Sequence, residues 1–191
     1  TGGPYFATDV GGFYGDTRDP VLYVRWLQAG VFSAHLRLHG IGQREPWSYD
    51  SVAHGPAMEA LRLRYRLIPY LHQVMQESAE TGLPVMRAMP LACPGDPAAW
   101  AFDTQFFFGP DLLVAPCLNH EGRVRVYLPH GDWRRFPSGE PLAGGRVLEL
   151  TLALEEVAVF ARAEADIPLG PDVMHTGDLT DPLTVARVWP T

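Results

Sequence analysis

Three short runs hold the residues best suited to chemistry. In Thr8-Asp9-Val10-Gly11-Gly12-Phe13 a carboxylate stands where an apolar run gives way to a turn. Such a group accepts hydrogen bonds from hydroxyls or amides. The glycine pair lets the backbone take positive φ or approach a neighbour closely, and Phe13 adds a flat apolar face. The same residues also suit a plain structural turn whose aspartate is satisfied by loop N–H groups, and the motif alone leaves both readings open.

The second run is Arg37-Leu38-His39-Gly40. On a strand, alternate side chains share a face, so Arg37 and His39 point together, with His35 one step earlier. A cation and an imidazole leaving a strand end together can recognise hydroxyls or a carboxylate, or can close a structural network. The third run, Arg44-Glu45-Pro46-Trp47, puts an aromatic after a rigid turn, either as a stacking platform or as a loop anchor. The remaining histidines, His54, His72, His120, His130 and His175, stand alone and read as surface or loop residues. Gly-rich phosphate loops, GxSxG elbows, HExxH helices and Cys/His clusters are all missing from the sequence. Neither a metal nor a cofactor is expected.

These residues need elements to position them. Residues 4–10 read as a buried strand ending at the Asp9 turn. Residues 20–32 carry apolar side chains at helical spacing, with Asp19 placed to cap and Pro20 suited to the first turn. Residues 33–39 form a candidate second strand, followed by a loop from 40 to 55. Over 56–81, Leu61, Tyr65, Ile68, Leu71 and Met75 recur at spacings that keep them on one helix face. Pro69 should kink or divide that helix, and Gly82 should stop it. From Leu83 the character changes. Short apolar runs at 83–91, 105–108, 112–118, 123–128, 147–154 and 157–161 alternate with Gly/Pro punctuation, which suggests an antiparallel β-sandwich.

Composition narrows the partners. Hydrophobic residues make up 47% of the 191 and charged residues 19%, so a packed core is feasible. A formal net charge of −7 argues against nucleic acid or an anionic membrane surface. All 15 basic residues are arginine. No apolar run approaches the ~18 residues of a membrane span. Cys93 and Cys117 lack metal-type spacing and are expected to be buried free thiols. Oligomeric state stays open, as does compartment, the cytoplasm being slightly favoured.

Taken in order, the runs are specific. ATDVGGFYGD, LYVRWLQAGVFSAHLRLHG, REPWSYD, LRLRYRLIPYLHQ, GLPVMRAMPL, QFFFGPDLLVAP, VYLPHGDW and VAVFARAEADIPLGP together resemble glycoside hydrolase family 31. The resemblance spans roughly residues 3–171. It implies an α/β part followed by an all-β part: the last βα units of a (β/α)8 TIM barrel, then a C-terminal antiparallel β-sandwich. The implied domains are residues 1–82 (incomplete barrel), 83–171 (proximal β-sandwich) and 172–191 (linker and start of a distal β-domain).

Family members cleave α-linked glycosides with retention, using two carboxylates. In the family both lie on earlier barrel strands, so no residue here is assigned a catalytic role, and the isolated chain is expected to be inactive. A first strand with an unpaired edge would also favour association. The resemblance assigns substrate binding to Asp9, Phe13 and His39, with Arg37 in support. The implied partner is an oligosaccharide or α-glycoside, and no cofactor is required. The form SAHLRLHG followed by REPW tilts the substrate toward xyloside over glucoside. The alternative is a non-catalytic carbohydrate-binding or structural β-sandwich module.

Overall fold

The computed structural model describes residues 3–15, 18–173, 175–179 and, for the backbone alone, 186–187. Three helices come first: α1 (Pro20–Gly30), α2 (Ser51–Arg66) and α3 (Ile68–Thr81). Asp19 caps α1 by accepting the Leu22 amide at 3.0 Å, and Pro20 occupies the first turn, as the sequence implied. Gly82 stops α3 in the left-handed conformation at φ 77°, its amide bonding the Ser78 carbonyl. The long helix divides at Leu67, two residues before Pro69.

Two details of the helices differ from expectation. α2 begins at Ser51 rather than 56, because Asp50 accepts the amides of Val52 and Ala53 and so starts the helix before Gly55-Pro56. The buried stripe also lies beside the expected one. Ala53, Ala57, Ala60, Leu67, Tyr70, Leu71 and Val74 are buried, while Leu61, Tyr65, Ile68 and Met75 are only half-buried. Small alanines on that face let α1 approach α2 closely.

The expected strand over 4–10 is a correction. Its described part is extended but contributes a single parallel bridge, Asp9 to Arg37, and so does the candidate strand at 33–39. Tyr5 and Phe6 are more than half exposed. A buried parallel strand needs a ladder on both sides, whereas among the described residues this run has only that bridge and a bond from the Val85 amide to the Pro4 carbonyl.

The β part contains β1 (Met86–Ala88), β2 (Phe106–Phe108), β3 (Leu112–Ala115), β4 (Arg123–Leu128), β5 (Asp132–Arg135), β6 (Pro141–Ala143), β7 (Arg146–Thr151) and β8 (Ala158–Arg162). A short helix, α4 (Met89–Ala92), and a 3-10 turn (Pro97–Ala101) interrupt the run between β1 and β2, where continuous strand to 91 was expected. The main sheet has six strands in the order β1-β2-β3-β8-β5-β6, and β4 and β7 form a separate ribbon. Every pairing is antiparallel.

Alternation of side chains across the main sheet explains its nearly continuous apolar strands. Phe108, Leu112, Val114, Val159 and Ala161 face the helices and join their core. Phe107, Leu113, Ala115, Ala158, Phe160 and Trp133 face the other way and pack against Val124, Val126 and Leu128 of the ribbon. The sheet is thus a middle layer covered on both faces, and the expected sandwich has a ribbon as its second sheet.

Polar side chains join the barrel end to the β part. Arg25 donates to the carbonyls of Leu152, Ala153, Leu154 and Glu156, and Gln28 donates to that of Leu154. Tyr70 donates to the Phe108 carbonyl at 3.0 Å. His120 is not isolated, since its Nε2 lies 2.7 Å from the Asp19 carboxylate across the junction. His175 lies 3.3 Å from Asp178. Both cysteines are free, Cys117 buried and Cys93 half-buried rather than fully buried. The expected linker over 172–191 lies largely outside the described residues. Within it a 3-10 turn spans Thr176–Asp178, and β10 (Ala186–Arg187) pairs with β9 (Pro168–Leu169). No helix among the described residues is long and apolar enough to cross a membrane.

Candidate functional site

Two chain segments run side by side toward the same end of the barrel remnant. Their register is set by the parallel bridge between Asp9 and Arg37, with the Val10 amide donating to the Arg37 carbonyl at 3.2 Å. Below this bridge Val10 is fully buried, and Leu36 and Leu38 turn toward the core while His35, Arg37 and His39 turn outward. This is the alternation the sequence implied.

The side chains gather as follows. The Arg37 guanidinium pairs with the Asp9 carboxylate, which is mostly shielded while Arg37 is half-exposed. Phe13 lies with its ring centroid 5.3 Å from that of His39, tilted by 54°. Its other edge meets Tyr14 at 4.7 Å. The four expected residues thus form two contacting pairs, Asp9–Arg37 and Phe13–His39, linked by the shared outward face of Arg37 and His39 on one segment. His35 faces outward and is exposed, and Trp47 stands 72% exposed, so Trp47 anchors no loop.

Glycine is required where the loop passes its supports. Gly11 and Gly12 have φ of 85° and 79°. A Cβ on Gly11 would lie 2.7 Å from Arg44 Cδ and 2.9 Å from the Tyr49 hydroxyl, and one on Gly40 would lie 2.8 Å from the Gly12 carbonyl oxygen. The two loop ends thus touch backbone to backbone, and the Ile41 amide donates to the Phe13 carbonyl at 2.9 Å.

Arg44, which the sequence placed in the third run without a role of its own, lies beneath this loop. Arg44 is 4% exposed. Its Nε donates to the Gly12 carbonyl at 2.8 Å, and its terminal nitrogens donate to those of Gly15 at 2.6 Å and Gln43 at 2.8 Å. The Tyr23 hydroxyl of α1 donates to the Arg44 carbonyl at 2.8 Å, and burial pushes that phenol well above its ordinary range. Neighbouring Glu45 is held below the usual carboxylate range by its own amide, helped by the Ser48 hydroxyl and the Arg44 amide. Trp26 of α1 donates from its indole to Thr8 Oγ1 at 2.8 Å, bracing the strand side of the loop. A single arginine in a loop carries no sequence signal that separates a buried clamp from a solvated charge.

Chemically, the cluster offers acceptors at Asp9, donors at Arg37, both at His39, and an apolar face at Phe13. The Asp9–Arg37 pair is balanced in charge, which suits a neutral, hydroxyl-rich ligand better than an ion. No group of three potential metal-binding side chains occurs among the described residues.

Comparison with known proteins places both parts of the chain in one family. Residues 1–74 match the family described as glycosyl hydrolases family 31 TIM-barrel domain, and residues 82–167 match the glycosyl hydrolase family 31 C-terminal domain. The chain is 33% identical to an alpha-xylosidase of Saccharolobus solfataricus over 198 residues, covering 100% of this chain and 27% of the relative. It is 32% identical to alpha-glucosidase 2 of Bacillus thermoamyloliquefaciens, covering 95% of this chain and 23% of the relative. Among solved structures, the GH31 alpha-xylosidase of Xanthomonas citri superimposes with a TM-score of 0.85 at 29% identity, over 93% of this chain and 21% of that one. The GH31 dextranase of Flavobacterium johnsoniae, solved with isomaltotriose, gives 0.83 at 35% identity, over 89% and 22%. The chain spans about a quarter of the length of the curated relatives it matches.

Proposed function

The chain belongs to glycoside hydrolase family 31, and from that premise we propose that it is a carboxy-terminal segment of a retaining α-glycosidase acting on terminal α-linked glucosides or xylosides. Residues 1–82 are the end of the catalytic barrel and 83–171 the β-domain that braces it. The carboxylate nucleophile and acid/base of the retaining mechanism are assigned to barrel residues outside these 191.

Within this reading Asp9 accepts hydrogen bonds from ring hydroxyls, and Arg37 orients that carboxylate. His39 bonds a further hydroxyl, and Phe13 packs on the C–H face of the ring. Such bonds accelerate cleavage only to the extent that they strengthen as the sugar approaches its oxocarbenium-like transition state. The observation that carries the reading is the juxtaposition of Asp9 and His39. Both leave neighbouring parallel segments at one end, with the Phe13 ring against His39.

The test is made in a polypeptide that joins these residues to the rest of a family 31 barrel. Asp9→Ala and His39→Ala are each expected to lower kcat/KM on 4-nitrophenyl α-xyloside or α-glucoside by about 10- to 100-fold, the range for losing a hydrogen bond to a charged or desolvated group. Wild-type kcat/KM in either variant would remove that residue from the pocket. Turnover of either substrate by the isolated chain would overturn the placement of the catalytic carboxylates.

A further inference from the structure

We propose that Arg44 is a positioning residue for the sugar pocket, a role that rests on the function proposed above. It touches no reacting atom. It sets the distance between the loop that carries Phe13 and the strand end that carries His39.

Backbone bonds tie the loop from Gly11 to Gly15 through the Gly12 amide, which donates to the Asp9 carbonyl, and the Phe13 carbonyl, which accepts from Ile41. They leave the Gly12 and Gly15 carbonyls to a side chain. Gly11, Gly12 and Gly15 all have positive φ, a conformation that breaks any regular ladder and leaves carbonyls turned inward. Two of those carbonyls, Gly12 and Gly15, are taken by the Arg44 guanidinium. The same guanidinium lies under the other segment, since a Cβ on Gly40 would come within 3.1 Å of Arg44 Nε. One planar group therefore sits between the two loop ends, bonded to Gly12, which precedes Phe13, and close to Gly40, which follows His39.

Arg44 is itself fixed from below. Its carbonyl takes the Tyr23 hydroxyl, and the Tyr23 ring stacks on that of Tyr49 at 3.8 Å with 19° between planes. The Tyr49 hydroxyl in turn sits under Gly11. The position of helix α1 is thereby passed through Tyr23 and Arg44 to the loop, where it fixes the 5.3 Å spacing of Phe13 and His39. A lysine keeps the charge but cannot present a planar fork to several carbonyls at once.

The experiment uses the same complete barrel. Arg44→Gln and Arg44→Lys are expected to raise KM and lower kcat/KM by about tenfold or more, as misplacement of a binding loop does. Added guanidinium at millimolar concentration is expected to recover part of the loss in the Gln variant. Arg25→Met serves as control: an equally buried fork that binds the β-domain loop, it should lower stability and leave KM unchanged. Amide exchange reads the mechanism directly, with Gly12 and Ile41 expected to exchange faster in the Lys variant and the β8 amides unchanged. If the Gln variant does not fold, the Lys variant with its exchange pattern decides. Wild-type KM in the Lys variant, with Asp9→Ala and His39→Ala impaired, would overturn the role of Arg44 and leave the pocket standing. Wild-type kinetics in Asp9→Ala and His39→Ala would overturn both.

Discussion

The barrel end and the β part are held together by different means. In the β part the backbone pairs with itself through six- and two-stranded sheets, and the layers between them are apolar: Phe107, Phe160, Leu113 and Trp133 on one face, Phe108, Leu112 and Val159 on the other. In the barrel end the described strands amount to one bridge, and arginine forks take up the loop carbonyls instead. Arg44 holds Gly12, Gly15 and Gln43, and Arg64 holds Val31, Ser33 and Ala34, while Arg25 reaches out of α1 to four carbonyls of the loop between β7 and β8 in the β part. A loop that must present side chains to a ligand cannot also be a ladder, so its buried carbonyls need donors from elsewhere. Guanidinium is the one side chain that supplies several in a plane. A chain whose basic residues are all arginine is equipped for this.

The contrast predicts where single substitutions cost most. Trp133 is 1% exposed, packs near Phe107, and donates to the Pro129 carbonyl at 2.8 Å. Trp133→Ala is expected to cost about 3–5 kcal/mol, as aromatic-to-alanine changes in a closed core do, measured as a fall in the urea midpoint. A cost below that of cutting an arginine fork would break the comparison, because the β part would then not depend chiefly on apolar packing.

Cutting a fork should cost less. Arg64 reaches from α2 to three carbonyls at the end of α1, at 2.6–3.1 Å. Burial lowers its guanidinium to about 10, still far above neutral pH, so it stays a full donor there. Arg64→Met leaves part-buried acceptors without donors and is expected to cost about 2 kcal/mol. Arg64→Lys should recover less than half of that, since an ammonium cannot match the fork. Equal stability of the Lys variant and wild type would show that charge, not planar geometry, holds the α1 terminus.

The same contrast explains which features could be read from the residues alone. The β strands announce themselves because Gly and Pro punctuate short apolar runs, and FFF, LLVA and AVFA are buried on both faces as continuous apolar runs imply. The α1 cap, the division near Pro69 and the Gly82 stop are local chemistry and were equally plain. Alternation gave Arg37 and His39 a shared face and the family resemblance grouped them with Asp9 and Phe13, but the specific Asp9–Arg37 and Phe13–His39 contacts are visible only in the structure. What stayed hidden depends on distant partners. The true buried face of α2 is set by alanines, whose hydropathy is weak but whose size lets α1 approach. The early start of α2 hung on Asp50, masked by the Gly55-Pro56 pair that reads as a breaker. Arg44 and Arg25 look like surface charges until the carbonyls they serve are known.

The smallest expected effect lies at the junction of the two regions. Asp19 accepts the Leu22 amide of α1, and its other oxygen meets His120 from the loop after β3. The Leu22 amide, and then His120, hold its carboxyl below the ordinary value of 3.8, against a partial desolvation that acts the other way. A carboxyl lowered in the folded state adds stability above its unfolded value, and that stability is lost as pH falls through the folded value. Asp19→Asn keeps a good cap and removes the titration. Wild type should therefore lose more stability than the variant between pH 7 and the acid side of 3.8, by less than about 1 kcal/mol because the pair is largely solvated. Urea midpoints at the two pH values check this. Equal losses in the two proteins would mean that the junction does not titrate through Asp19, and that Arg25, Gln28 and Tyr70 carry the polar link between the barrel end and the β part at both pH values.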